Sequence, residues 1–171
     1  LTPLEGVPMG TRCGDMDPAI VPFLMEKLGL DAPSMSTYMN KKSGMLGMSG
    51  VSSDFRDLAA AAAQGNERAE LALRTFSYKV KKYIGSYAAA LGGVDAIVFT
   101  AGVGENDRDV RARILTGLEY LGVDVDFDYN ETCPRGQEVE ISKPESKVKV
   151  FVIPTDEEMV IAKDTARLAA K

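Results

Sequence analysis

Two short runs rich in β-branched and aromatic residues, AIVFT at 96–100 and KVKVFVIP at 147–154, constrain the fold more than any other feature of the chain. Each has the length of a strand and not of a helix, and each passes through a turn into a segment with helical periodicity. AIVFT is a run of Ile, Val, Phe and Thr bounded by glycines, which predicts a strand buried on both faces, and the second run shares that character. VDVDF and EVEIS are further strand candidates. Strand, glycine turn, helix, strand, polar turn, helix is an α/β order, in which ligands gather beyond the carboxyl ends of the strands. Two such ends occur, at TAGVGEN and at IPTDEE.

The rest of the chain reads as helical. A helix is predicted over about 17–29, with Asp17 able to cap, Pro18 in the first turn, Ile20, Phe23, Leu24 and Leu28 at helical spacing, and Gly29 as its stop. A short helix is expected over 34–42, followed by a packed loop at SGMLGMSGVSSD. Ser53 then caps a helix in DFRDLAAAAAQG that Gly65 ends. The longest helix is predicted from Asn66 to Leu91, with Leu73, Phe76, Val80, Tyr83, Tyr87 and Leu91 along one stripe and Gly92-Gly93 as its terminator. Helices over about 108–121 and 156–169 complete the reading, the first with Val110, Ile114, Leu118 and Leu121 turned inward.

At 171 residues, 45% hydrophobic and 26% charged, the chain suits one ordinary domain. No apolar run approaches the roughly 20 residues of a bilayer span, so no membrane partner is expected and the protein reads as cytoplasmic. A net charge of -5 with interspersed signs argues against nucleic acid as a partner. Cys13 and Cys133 read as two unpaired thiols. The absence of histidine removes Ser-His, Cys-His and imidazole-metal chemistry and leaves Asp, Glu, Arg, Lys and backbone groups, a set that suits phosphoryl transfer. A start at Leu1, in LTPLEG, suggests a piece of something longer.

Four strings carry candidate chemistry. In FTAGVGEND, Gly102 and Gly104 remove side chains beside a helix start, where free N–H groups can face a phosphate or a flat nucleotide; equally, a strand-to-helix turn needs glycines for its own backbone, and Asn106 and Asp107 are ordinary caps. In SSDFRD, Asp54 and Arg56 are expected to project from different sides of a first helical turn. They read either as a capped helix start or as an arginine near nucleotide phosphate that Asp54 orients. Arg12 in MGTRCGD lies on a glycine-flanked loop from which a guanidinium can reach a transferring phosphoryl group, although loop arginines are usually just solvated. In PTDEE, Thr155 and Glu158 fit a capping box, and Glu157 adds favourable charge unless it reaches a hydrated Mg2+.

Taken together, LTPLEGVPMGTRCGDMDPAI, KKSGMLGMSGVSSDFRD, VFTAGVGEND and VIPTDEEMVIAKDT resemble the motifs of the acetokinase family, in the sugar kinase, Hsp70 and actin superfamily. The resemblance implies an α/β fold that is an incomplete ribonuclease H-like, actin-like ATPase domain, helix-rich with a short sheet. It implies reversible, Mg2+-dependent phosphoryl transfer between ATP and acetate, giving ADP and acetyl phosphate, in a cytoplasmic homodimer. By position, Arg12 would stabilise the phosphoryl group in flight and Pro3 would wall the acetate pocket. Asp54, Phe55 and Arg56 would line the nucleotide site, and Gly102, Val103, Gly104, Glu105 and Asn106 would form the adenosine-binding turn. Glu157 would be the magnesium-linked carboxylate.

The family's N-terminal domain and the first strands of its C-terminal domain have no counterpart here. The expectations are therefore a sheet short of strands, much apolar surface left exposed or covered by another chain, and negligible activity from this piece alone. Alternatives are a propionate or other short-chain carboxylate kinase, a dimerisation module built on Tyr78, Tyr83 and Tyr87 with the Met-rich loop, and a nucleotide sensor with no use for Arg12.

Overall fold

The computed structural model describes residues 3–170. The chain divides into two compact units, one ending at Ala90 and the other beginning at Leu91.

The first unit is helical: α1 (Ile20–Leu28), α2 (Ala32–Lys41), α3 (Gly44–Ser49), α4 (Phe55–Ala63) and α5 (Glu67–Leu91), the last running to the unit boundary. Side-chain caps set the starts, with Asp31 accepting from the Ser34 N–H, Asp54 from the Arg56 N–H and Asn66 from the Ala69 N–H. Gly29 ends α1 in the left-handed conformation at φ 64°, as its position promised. Met35, Met45, Leu58, Ala69, Ala72 and Leu73 are buried.

Several expectations fail here for identifiable reasons. The stretch read as a packed loop contains α3, whose first free N–H groups are satisfied from outside: Met45 and Leu46 donate to the carbonyls of Met9 and Gly10. Asp54, not Ser53, caps α4, because the carboxylate accepts from the N–H two residues on. Along α5 the apolar stripe holds only in its first half, since Tyr87 and Leu91 are exposed.

A loop of residues 6–15 precedes these helices and is closed by a reciprocal pair, Gly6 N–H to Asp15 Oδ1 and Asp15 N–H to the Gly6 carbonyl, both at 2.8 Å. Gly14, at φ 70°, lies so close to Val7 and Pro8 that a Cβ would come within 2.7 Å of backbone. Tyr83 of α5 ties the loop down by donating its hydroxyl to Asp15 Oδ2 at 2.7 Å.

The second unit holds a three-stranded sheet of order β1-β3-β2, from β1 (Ala96–Phe99), β2 (Val139–Glu140) and β3 (Lys149–Val152). β1 runs parallel to β3 with Phe99 opposite Val152, and β2 runs antiparallel to β3. Between β1 and β2 come α6 (Ala101–Asn106), α7 (Arg108–Leu115), a 3₁₀ turn at Glu119–Leu121 and α8 (Phe127–Thr132); α9 (Glu157–Ala169) follows β3. Ile97, Phe99, Val110, Ile114, Leu115, Leu118, Ile141, Val150 and Val152 form the core.

AIVFT is not buried on both faces: Ile97 and Phe99 point inward while Val98 remains 50% exposed, so the other face of β1 is uncovered. VDVDF makes only isolated bridges at Val123 and Val125 before α8 begins. The helix expected over 108–121 stops at Leu115 because Thr116 turns extended and Gly117 takes φ 87°; Val110, Ile114 and Leu118 are nevertheless buried. No side chain of α9 is buried, including Val160, Ile161 and Leu168, and Phe23 and Leu28 of α1 are also exposed. The expected short sheet and exposed apolar surface are thus both present.

The Tyr83–Asp15 bond carries a pH signature. It holds the Asp15 carboxyl below its usual range, helped by the Gly6 N–H and Lys79, and pushes the Tyr83 phenol up to about 12. The carboxylate contribution is complete above the ordinary value of about 4 and is lost as pH falls below it; the phenol contribution is complete below about 10 and is lost as pH rises towards the folded value. Asp15→Asn is expected to return Tyr83 towards the ordinary phenol range, read from the pH dependence of its ring resonances. An unchanged titration would remove Asp15 as the cause.

Candidate functional site

In the first unit, the loop bearing Arg12 is fastened on both sides. Cys13 N–H donates to the Met39 carbonyl, Ser43 N–H to the Thr11 carbonyl, and Thr11 Oγ1 to the Asn40 carbonyl. Gly44, at φ 60°, admits this approach, since a Cβ there would collide with the carbonyls of Met9 and Arg12. Arg12 itself is exposed, its guanidinium reaching the Met9 sulfur at 3.8 Å. A fixed backbone thus carries a charged head that is free to meet an anion.

The same loop meets the start of α4, where a Cβ on Gly10 would lie 3.2 Å from the Ser53 carbonyl. Arg12 and the Asp54–Arg56 pair therefore flank one backbone contact. Asp54 and Arg56 do not project apart. The guanidinium folds back onto the carboxylate with Nε to Oδ1 at 3.0 Å and Nη2 to Oδ2 at 2.6 Å, a two-point pairing that suits the planar fork. Asp54 is thereby held down to about 2 and Arg56 raised. With side chains 37% and 90% exposed, the pair orients Arg56 towards solvent more than it stabilises the helix. Phe55 is half-buried and packs edge-on against Phe76 of α5 at 4.8 Å, and Pro3 is exposed.

In the second unit, the parallel pairing of β1 with β3 sets TAGVGEN and IPTDEE side by side. The expected bare turn is instead the six-residue helix α6, entered through Ala101 at φ 59°, a strained angle for a residue with a side chain. Asn106 does not cap; its amide donates to the Gly102 carbonyl at 3.0 Å, while Asp107 caps α7 through the Val110 N–H. The two glycines differ. A Cβ on Gly104 would press within 3.3 Å of the Phe99 backbone, so packing asks for glycine there. At Gly102 it would meet nothing, and φ is not left-handed. The fold supplies no reason for glycine at 102, where alanine would favour a helix more.

Thr155 does not form the expected capping box. Asp156 caps α9 through the Met159 N–H at 3.0 Å, and Thr155 instead donates its N–H and its hydroxyl to Glu105 Oε1 at 2.9 and 3.0 Å. Glu157, in the first turn of α9, is exposed, so Gly102–Asn106 and the start of Glu157's helix are joined directly.

Sequence reasoning missed Arg111. It is 1% exposed, and its guanidinium donates to Asn130 Oδ1 at 2.8 Å and to the carbonyls of Gly104 and Glu105, both at 2.9 Å. These partners are neutral, and burial pulls its pKa down. It satisfies the C-terminal carbonyls of α6 from within the core. The available signal was an arginine one residue after Val110 on an otherwise core-facing helix, a position easily read as solvated. Arg111→Met is expected to strand Asn130 and two carbonyls and to cost roughly 3 kcal/mol or more of chemical stability, whereas exposed Arg135→Met should cost almost nothing.

The sequence pattern of the acetokinase family matches residues 1–163. The acetate kinase of Methanosarcina thermophila is 61% identical over 167 residues, covering 98% of this chain and 40% of the relative. The chain thus spans about two-fifths of the length of the curated relatives it matches. The crystal structure of Porphyromonas gingivalis acetate kinase superimposes with a TM-score of 0.92 at 55% identity, covering 98% of this chain and 42% of that one. A propionate kinase from Francisella tularensis gives 0.84 at 38% identity over 94% of this chain and 40% of its own. The fold is that of part of an actin-like ATPase domain, α/β and helix-rich with a short sheet, and the chain belongs to the acetokinase family.

Proposed function

We propose that this chain is the C-terminal portion of an acetate kinase, lacking the N-terminal domain and the first strands of the C-terminal domain. The whole protein would transfer phosphoryl groups reversibly between ATP and acetate, giving ADP and acetyl phosphate. The observation that carries the nucleotide part is Gly102: an exposed position at the mouth of β1, bare for no reason internal to the fold, where a flat nucleoside can lie against backbone. Val103, Gly104, Glu105 and Asn106 continue that surface; in the first unit Asp54, Phe55 and Arg56 are assigned to nucleotide binding as well, with Arg56 aimed by Asp54.

Arg12 acts on the transferring phosphoryl group, where its charge counts most in the transition state. Pro3 belongs to the acetate pocket. Among the described residues no group of three or more acidic or thiol side chains could hold a metal ion alone, and Glu157 is an exposed carboxylate between Asp156, which caps the helix, and Glu158. That suits Mg2+, which takes one or two carboxylates together with nucleotide phosphates and water. Glu157 would hold it, and the bound ion would neutralise phosphate charge.

No helix of the described residues is long and apolar enough to cross a membrane, which agrees with a cytoplasmic enzyme. Exposed Tyr78 and Tyr87 on α5 and the bare apolar residues of α1 support a homodimer. Similarity to a propionate kinase makes a longer acid the second reading, and the Porphyromonas gingivalis acetate kinase superimposes with the higher TM-score.

Gly102→Ala tests the nucleotide seat: ADP affinity by titration calorimetry should fall about tenfold or more while thermal stability is unchanged or slightly raised. Equal affinity would contradict the seat. In the whole protein, Arg12→Ala should lower kcat on the order of 10³-fold with ADP affinity kept, in an acetyl-hydroxamate assay; the present chain alone is expected to give no turnover in it. Retained turnover would favour a nucleotide sensor.

A further inference from the structure

The carboxylate of Glu105 reaches across to the segment that follows β3. One of its oxygens, Oε1, takes both donors of Thr155, the backbone N–H at 2.9 Å and the hydroxyl at 3.0 Å. Thr155 immediately precedes Asp156, the cap of α9, and Glu157 is the first residue of that helix. Because no side chain of α9 is buried, packing does not fix where the helix begins. What holds it is its covalent link to β3 through Pro154 and this doubly donated contact. At its other end Glu105 is anchored in the core, since Arg111 donates to the Glu105 and Gly104 carbonyls.

Resting on the kinase reading above, we propose that Glu105 is a positioning residue, a strut that fixes the Glu157 helix start relative to the Gly102–Asn106 seat. A continuous path of polar contacts then runs from buried Arg111 through Glu105 to Thr155, ending two residues before the carboxylate assigned to Mg2+. Nucleotide seat and metal carboxylate keep one spacing because one side chain spans them. A displacement of the helix start would cost alignment of the phosphates without altering the adenosine contacts.

The strut can be tested without catalysis. In this chain, Glu105→Ala should speed exchange of the Thr155 amide proton about tenfold or more, whereas Glu105→Gln, whose amide oxygen still accepts, should preserve protection. Exchange unchanged in Glu105→Ala would overturn the strut. In the whole protein, Glu105→Ala and Thr155→Val should each raise the Mg2+ concentration for half-maximal rate about tenfold, and the double variant should be no worse than the poorer single. Thr155→Ser, which keeps the hydroxyl, should behave like the parent.

Independent, multiplying effects, or a Thr155→Ser as impaired as Thr155→Val, would mean that the two residues do not act through their shared contact and would refute the positioning role. Should the whole protein fail to phosphorylate acetate at all, the kinase reading falls while the amide-exchange comparison still decides the strut.

Discussion

The parallel pairing of β1 with β3 is the constraint from which the candidate site follows. With Phe99 opposite Val152 and the Ile153 N–H donating to the Phe99 carbonyl at 2.9 Å, the two strands finish level. Whatever follows them must leave side by side, and two segments far apart in sequence become neighbours at one sheet end. Arg111 then sets the first of these segments from inside: a cation seated on neutral carbonyls, expensive to bury, is tolerated because every nearby acceptor needs a donor. Thr155 and Glu105 join the second segment to the first.

The first unit solves a different problem with similar means. In its proposed role Arg12 must be exposed to meet an anion, yet an exposed arginine on a slack loop would have too many orientations to be useful. The backbone around it is therefore immobilised by bonds to α2 and α3, while Gly44 and Gly14 allow chain segments to approach where a side chain would collide. The carbonyls that cap α3 belong to this loop, so helix and loop stabilise each other. Asp54 does for Arg56 what the loop does for Arg12, restricting direction while leaving the charge accessible.

Much of the architecture was legible in sequence: the α/β order, the long α5 helix, Gly29 as a stop, Asp107 as a cap, and the strands at 96–99 and 149–152. What escaped depends on partners remote in the chain. The α3 helix forms because Met9 and Gly10 carbonyls cap it from some 35 residues away, and no local pattern announces that. Thr155 carries a local capping pattern yet bonds a carboxylate 50 residues distant. Arg111 resembles a surface residue until Asn130 is folded against it. Val98 was expected to be covered because its neighbours are apolar, and it is exposed because no described element packs over that face of β1. Among the candidate site residues, the sequence motifs named the loops but not the internal contacts that orient them.

The central claim is that the mouths of β1 and β3 form one nucleotide-binding surface. It is tested most directly by adding ADP to this chain and following backbone amide resonances. Binding at that surface should shift residues 100–106 and 153–157 together, along a common saturation curve, with the 119–124 turn at the opposite end of the sheet unaffected. Shifts confined to that opposite end, or none at millimolar ADP, would contradict the account.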